Sequence, residues 1–384
     1  MNRRSLITSA VPLVFGGGPA LAAVWREPSP IASVPAGIDV AARTFLDSRN
    51  GVGLSVAAMR EGKLLFARGY GIANLETGTP VTPGTVFRAG SITKQFTATA
   101  LMRLVEEGRL ELDAPAAKFI PEMASMGAVT VRMLLHQVSG LHNYSGPDFG
   151  QQQRIDRTSK EMLDYILAQP KLVDFAPGER FEYSNSNYFV LGVIAERVSG
   201  RSLPELLGDL AQAAKLTQTA ADRATDIVAH RSAGYSLIGG KAGQFRHAEY
   251  FSMDNAGGAG VLRSTPTDLT QWHQALLAGR VVRDSSVRQM LETGKLRDGQ
   301  PVLRDDAPIA QGKPAYGFGL EVGIFDGQRA IGHGGAVPGH TSYVVTFPDK
   351  QLSIAVMINI DPNRQMPFAE ILRAALGSPS KTSG

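Results

Sequence analysis

Ser91 and Lys94 stand three residues apart at the head of an apolar-periodic run, Ile92 to Glu107, that stops at Gly108. Phe96, Ala100, Leu101, Leu104 and Val105 recur at helical spacing, and Gly108 suits the position just past a last turn, so a helix is predicted over 92–107. On such a helix Ser91 and Lys94 share a face at the N-terminal end. A serine hydroxyl is a poor nucleophile at neutral pH. An amine whose pKa is lowered by burial or by another cation can take its proton. The helix start adds backbone N–H groups and the positive end of a dipole, suited to a developing oxyanion. S-x-x-K alone is a short pattern, and an N-capping serine beside a solvated lysine fits it equally.

Two later stretches can complete a site. In Tyr183-Ser184-Asn185, a phenol placed between serine and lysine can relay a proton, and the Asn185 carboxamide can fix a substrate carbonyl or hold the lysine. The same residues fit an aromatic packed under a turn, with Asn185 capping the helix that follows. In Ile331-Gly332-His333-Gly334-Gly335-Ala336, the glycines would let backbone approach a ligand closely on an edge strand. The Ala336 N–H could then join the Ser91 N–H as an oxyanion hole, and His333 could bind a carboxylate or support the Tyr–Lys proton network. The bland counterpart is a Gly-rich turn with an incidental surface histidine.

These residues need elements to position them. Gly51 to Met59 and Lys63 to Tyr70 read as strands around the turn Glu61-Gly62. The middle of the chain is helical, with segments at 129–135, 159–169 and 187–198. A strong start at Thr265-Pro266-Thr267-Asp268 opens another, and its Trp272 and His273 read as packing and surface. Strands return in the last quarter: Tyr316 to Ile324, Gln328 to His333 after the turn Asp326-Gly327, His340 to Phe347, and Leu352 to Asn359. A closing helix follows at 367–376. The expected class is α+β: one antiparallel sheet built from both termini with flanking helices, residues 38–90 and 280–384, and an inserted, mostly helical domain, 91–279.

The N-terminus reads as an export leader over residues 1–22: Arg3-Arg4, an apolar Gly-rich stretch, then Ala20-Leu21-Ala22. Arg3-Arg4-Ser5-Leu6-Ile7 resembles a twin-arginine signal, with an ordinary secretory signal as the rival, so the expected location is periplasmic or secreted. A Pro-rich tether, 23–37, follows. The 384 residues carry 39 Lys and Arg against 35 Asp and Glu, a formal charge of +4 that falls to about +2 once Arg3 and Arg4 are removed. That balance argues against a nucleic-acid binder. The absence of cysteine excludes disulfides, thiolate metal ligands and a Cys nucleophile. With no H-E-x-x-H pattern among seven histidines, a zinc site is not expected. No stable membrane insertion is expected, because no later stretch is a long uncharged apolar run.

Taken together, Ser91-x-x-Lys94, Tyr183-x-Asn185 and His333-Gly334-Gly335 resemble, in this order, the three motifs of the serine β-lactamase and penicillin-binding-protein superfamily. The Tyr-x-Asn form is similar to class C β-lactamases, D-alanyl-D-alanine carboxypeptidases and related esterases. Supporting matches include the stretches 69–75, 86–98, 134–141, 183–188 and 334–339, within a span of roughly residues 40 to 375. The resemblance implies that Ser91 is the acylated nucleophile, that Lys94 and Tyr183 share the general-base and general-acid work, and that Asn185, His333, Gly334 and Gly335 bind substrate. It also implies that the N–H groups of Ser91 and Ala336 hold the oxyanion. The implied site lies in the groove between sheet and helical domain, and no metal or organic cofactor is implied.

The sequence departs from the family pattern at its third motif. Enzymes acting on β-lactams or D-Ala peptides usually carry Lys-Thr-Gly or His-Thr-Gly there; here Gly334 removes the hydroxyl, and His333 is expected to be only partly charged. The expected substrates are therefore small esters or amides, with a β-lactamase, a carboxypeptidase and a D-aminopeptidase as runners-up. A non-catalytic sensor on the same fold is the rival from another class. Gln137-Val138 replaces a more usual His-Thr in Leu134-Leu135…Ser139-Gly140-Leu141, and is expected to alter local hydrogen bonding but not chemistry.

Overall fold

Two tight turns set the frame of the sheet. Glu61-Gly62 and Asp326-Gly327 have positive φ at both residues, 51° and 73° in one and 45° and 75° in the other. That is the conformation whose twist matches a two-residue hairpin, and it favours glycine at the second position. The structure, a computed structural model, describes residues 33–305 and 311–377. The expected leader and most of the tether lie outside the described residues.

The first turn joins β1 (Gly53–Arg60) to β2 (Lys63–Asn74), which continues to the short β3 (Thr79–Pro80). The C-terminal part adds β4 (Gln311–Tyr316), β5 (Glu321–Phe325), β6 (Gln328–Val337), β7 (His340–Phe347) and β8 (Leu352–Ile358). The sheet order is β3-β2-β1-β8-β7-β6-β5-β4, antiparallel throughout. The two ends of the chain meet where Leu54 opposes Ile358 and Val56 opposes Val356. This is the expected α+β arrangement, an antiparallel sheet from sequence-distant strands with a helical insert.

Both faces of the central strands are covered. Tyr343, Val345 and Phe347 of β7 and Leu352, Ile354, Val356 and Ile358 of β8 turn toward α1 (Ala36–Asp47) and α9 (Phe368–Leu376), burying Ile38, Phe45, Phe368 and Ile371. Their alternates Val344, Ala355 and Met357 join the core of the helical side. Two-sided burial explains why β8, apart from Ser353, reads as an apolar run and not as a strict alternation.

On that side lie α2 (Thr93–Glu106), α3 (Val131–Leu135), α4 (Ser159–Leu167), α5 (Asn185–Ser199), α6 (Leu203–Ala213), α7 (Pro266–Leu277) and α8 (Asp284–Leu291). Helix α7 begins as expected: Thr265 Oγ1 accepts the Asp268 N–H at 3.2 Å, with Pro266 in the first turn. It lies against β1, β7 and β8, so both its faces are covered. His273 is therefore fully buried, its Nδ1 2.9 Å from Thr346 Oγ1, which corrects the surface reading of that residue.

Helix α2 is wrapped almost all round: every residue from Thr93 to Met102 is buried, charged Lys94 included. A polar side chain held there must find partners within the protein. Trp272 of α7 shows the pattern, stacking on Phe96 with ring centroids 3.7 Å apart while its indole N–H donates to Gln95 Oε1 at 2.9 Å.

Candidate active site

The chain reaches Ser91 through a fixed track. Phe87–Arg88 pairs with Leu262–Ser264, and the Ala89 N–H donates to the Leu262 carbonyl at 2.8 Å. Gly90 has φ +54°, and a Cβ there would sit 2.8 Å from the Ala336 nitrogen; both facts require glycine. A 3₁₀ turn, Gly90–Ile92, then feeds α2. Thr93 pins it, donating to the Gly90 carbonyl at 2.7 Å and accepting the Leu262 N–H at 3.0 Å.

Ser91 is thus partly exposed at the mouth of a helix whose next turn is buried. Lys94 Nζ lies 3.1 Å from Ser91 Oγ, 2.7 Å from Asn185 Oδ1 and 2.9 Å from the Ala259 carbonyl. Burial, first, and the charge of Arg304, second, hold Lys94 well below the ordinary lysine range. A neutral amine has two N–H donors and one lone pair. Asn185 Oδ1 and the Ala259 carbonyl can only accept; in the neutral form they would take both N–H groups and leave the lone pair for the Ser91 hydroxyl.

Asn185 is the first residue of α5 and Ser184 the cap, which corrects the reading of Asn185 as a cap. Its carboxamide is oriented from both ends: Oδ1 faces Lys94 and Nδ2 donates to Ser145 Oγ at 2.7 Å. Its backbone N–H donates to Asn143 Oδ1 at 3.1 Å. Gln137, in a left-handed conformation at φ +63°, accepts the Ser184 N–H and the Asn187 amide through Oε1. Gln137 thus holds the backbone and a side chain of the segment carrying the second motif.

The Tyr183 ring is in contact with two basic side chains. Its centroid is 4.8 Å from Lys94 Nζ and 4.5 Å from the Arg304 guanidinium carbon. Tyr316 meets it edge-on at 6.2 Å. Arg304 donates to Glu321 Oε1 at 2.7 Å, and only 11% of the Arg304 side chain is exposed.

His333 takes no part as a charge. It is buried, and burial together with Arg304 and Lys94 holds its pKa well below the usual histidine range, so it is neutral at neutral pH. This replaces the expectation of a partly charged ring. Nδ1 is 2.5 Å from the Gly334 carbonyl, which can only accept; Nδ1 therefore carries the proton, and Nε2, at 3.2 Å, accepts from the Tyr316 hydroxyl.

Strand β6 reaches the serine turn. A Cβ on Gly335 would lie 2.0 Å from the Ala89 carbonyl oxygen and 3.0 Å from the Ser91 nitrogen. Gly335 and Ala336 therefore run alongside Ala89–Ser91 with no room between, and the Gly90 approach to Ala336 marks the same seam. Ser342, paired with Gly335, holds it from the neighbouring strand by donating to the Ala89 carbonyl at 2.8 Å.

Ser91 borders two cavities. One, of about 290 Å³, is walled by Tyr144, Phe149, Phe251 and Pro338; the other, of about 580 Å³, by Tyr183, Arg304, His333, Tyr343 and Met366. The segments 142–158 and 236–256 supply the aromatic wall of the first. All eight sequence-derived residues thus meet at one place. Ala259, Arg304 and Tyr316 were not anticipated. A loop carbonyl and an arginine in an irregular stretch have no motif to mark them.

The family described as Beta-lactamase matches residues 38–378. A D-aminopeptidase of Gluconobacter oxydans is 31% identical over 342 residues, which cover 86% of this chain and 60% of that relative; one of Brucella ovis is 28% identical with the same coverage. The chain thus spans about three fifths of the length of these curated relatives. Among solved structures, the octameric penicillin-binding protein homologue of Pyrococcus abyssi superposes with a TM-score of 0.76 at 27% identity, over 89% of this chain and 77% of that one. A D-stereospecific amidohydrolase of Streptomyces gives 0.70 at 26%, over 88% and 98%.

Proposed function

We propose that this chain, which belongs to the beta-lactamase family, is a serine hydrolase that cleaves small amides or peptides through an acyl-enzyme on Ser91, with a D-amino acid residue on the acyl side. The observation that carries the reading is the buried Lys94, whose Nζ lies 3.1 Å from Ser91 Oγ with Asn185 Oδ1 and the Ala259 carbonyl as its other partners, and whose proton affinity burial lowers. The similarity to D-aminopeptidases supports amides and peptides over the esters that the sequence also allowed.

In this reading Ser91 Oγ attacks the scissile carbonyl as its proton passes to Lys94 Nζ. The carbonyl oxygen becomes the oxyanion, held by the N–H groups of Ser91 and Ala336 at the β6 seam. Collapse breaks the C–N bond, and the leaving amine takes a proton delivered from Lys94 by way of Tyr183. Water then attacks the ester, giving its proton back to the same pair, and releases the acid and free Ser91. Asn185 orients the amine and the substrate carbonyl; His333, Gly334 and Gly335 line the second cavity. Gly334 offers no hydroxyl to a substrate carboxylate, which favours slow turnover of β-lactams.

For location, the reading rests on the N-terminal sequence: Arg3-Arg4 and Ala20-Leu21-Ala22 support export, to the periplasm or beyond. Among the described residues no helix is long and apolar enough to cross a membrane.

The test is a mass increase on Ser91 after incubation with a fluorophosphonate, followed by rates on matched D- and L-amino acid amides, esters and a cephalosporin. Labelling lost in Ser91→Ala and faster cleavage of D-amides are expected. No adduct with any acylating probe would favour the non-catalytic sensor; rapid cephalosporin hydrolysis with idle amides would refute the substrate class.

A further inference from the structure

Lys94 must hold a proton-accepting form at the pH where Ser91 reacts, and the third motif offers no positive charge to help. His333 occupies the motif's cationic position, but it is buried and its two nitrogens are committed to the Gly334 carbonyl and the Tyr316 hydroxyl. A protonated imidazole would carry its charge fully buried, beside Arg304 and Lys94. Arg304 instead comes from an irregular segment 29 positions earlier, outside all three motifs. We propose that Arg304 is the positioning residue that supplies the second positive charge of the proton network, acting through the Tyr183 ring on Lys94. The inference rests on the hydrolase reading above.

Three observations carry it. The guanidinium carbon is 4.5 Å from the Tyr183 centroid while Lys94 Nζ is 4.8 Å from the same centroid, so one ring contacts both cations. The guanidinium is fixed, with Glu321 Oε1 accepting from Nη1 at 2.7 Å and 3% of the Glu321 side chain exposed. Lys94 responds to Arg304, after burial, as the charge that lowers its proton affinity, and Glu321 is not among the causes of that shift. The other titratable groups facing this cluster are Tyr188, Tyr316, Tyr343 and His333. Burial pushes the three phenols up and the imidazole down, so all are neutral near pH 7. Arginine suits the task because it never loses its charge, whereas a lysine beside Lys94 would itself shed a proton.

The test is the pH dependence of Ser91 sulfonylation by a small uncharged probe, phenylmethylsulfonyl fluoride, which loses fluoride as the Oγ–S bond forms, read by intact mass. Two cations in contact with one ring are no more than about 9 Å apart, and at an effective dielectric of about 20 their repulsion amounts to about one pH unit. Replacing Arg304→Gln together with Glu321→Gln, which leaves no buried carboxylate uncompensated, is expected to move the acid limb up by about one unit. Arg304→Met is expected to move it at least as far, and Arg304→Lys, whose amine can itself lose its proton, to return it only in part. Since the three variants are ordered, one that fails to fold, judged by circular dichroism, leaves the other two to decide. Acid limbs that superpose on the wild type would overturn the proposal. So would variants that change only KM for carboxylate-bearing substrates, which would make Arg304 a substrate contact. If wild-type protein acquires no adduct, the hydrolase reading fails and not this inference alone.

Discussion

Gly335→Ala tests whether the seam between β6 and the serine turn is an oxyanion hole. Gly335 is not among the residues with positive φ, so alanine meets no backbone penalty there and the effect is one of space alone. The added methyl would sit 2.0 Å from the Ala89 carbonyl oxygen, 2.6 Å from Ser342 Oγ and 3.0 Å from the Ser91 nitrogen. Ordinary contact begins near 3.4 Å, so strand and turn must part by more than roughly 1 Å. The Ser342 to Ala89 hydrogen bond closes the same gap and must stretch with it.

The consequence falls on geometry more than on stability. Overpacking of this kind costs about 1–3 kcal/mol of stability. Separating the Ala336 N–H from the Ser91 N–H by an ångström forfeits a donor aimed at the developing charge, worth about 10² to 10³ in rate, or about 3–4 kcal/mol of barrier. The assay is single-turnover acylation by an activated ester, which isolates the first chemical step, with a thermal melt on the same sample. Gly90→Ala, with φ +54° and its own clash on Ala336, should be at least as damaging. A folded Gly335→Ala protein that acylates within threefold of wild type would refute the assignment, because the two amides could then not be acting as a pair.

Lys94→Met should remove acylation by at least about 10³-fold, and Lys94→Arg should not rescue it, since a guanidinium has no lone pair to offer; retained labelling in either would rule out the lysine as base. Wild-type acylation should fall as pH drops through the depressed Lys94 value, because protonation fills that pair. His136, His273 and His340 are buried, and burial lowers them to about 4, 3 and 3 respectively. Unfolded histidines bind protons near pH 6.5 while these do not, so their stability contribution is present above pH 6.5 and lost as pH falls toward 4, at up to about 4 kcal/mol per pH unit for the three. Denaturant midpoints that stay flat from pH 7 to 5 would contradict this. Gly208 lies within α6 with open space around its missing Cβ, so Gly208→Ala should stabilise by about 0.5–1 kcal/mol without touching acylation; a lower melting temperature would count against it.

What could be read from the sequence was what local chemistry determines. The two-residue turns with glycine second, the Thr265 cap and the glycines ending α2 and α5 all act over a few residues, and all are found where local rules put them. Helix α6 also carried a local signal, the Ser202–Glu205 capping box with Pro204, that passed unread. His273 was misread for a different reason: a helix sandwiched between sheet and helical layer has no exposed face, so its polar residues are buried and paired, here to Thr346. The Ala259 carbonyl and Arg304 could not have been found by pattern. Each matters only through a contact made across 165 or 121 residues of chain, with Lys94 and with Tyr183.

The altered third motif becomes intelligible once its backbone is considered apart from its side chains. In the seam, β6 offers the Ala336 amide and a missing Cβ at 335; neither depends on what stands at 333 or 334. The base, its orienting amide and the Ala259 carbonyl all come from the helical layer. In the proposed mechanism a lost hydroxyl at 334 and an uncharged His333 therefore leave acyl transfer intact and alter only what the second cavity can hold. A substrate that needs its carboxylate gripped beside the scissile bond loses that grip, while an amide that carries none loses nothing. On this reasoning the divergence that counts against β-lactam turnover is the same one that selects for simple amides, and restoring Gly334→Thr should raise reactivity toward a cephalosporin while leaving D-amide cleavage within a few-fold of wild type. Equal gains on both substrates would show instead that position 334 acts on the chemistry itself.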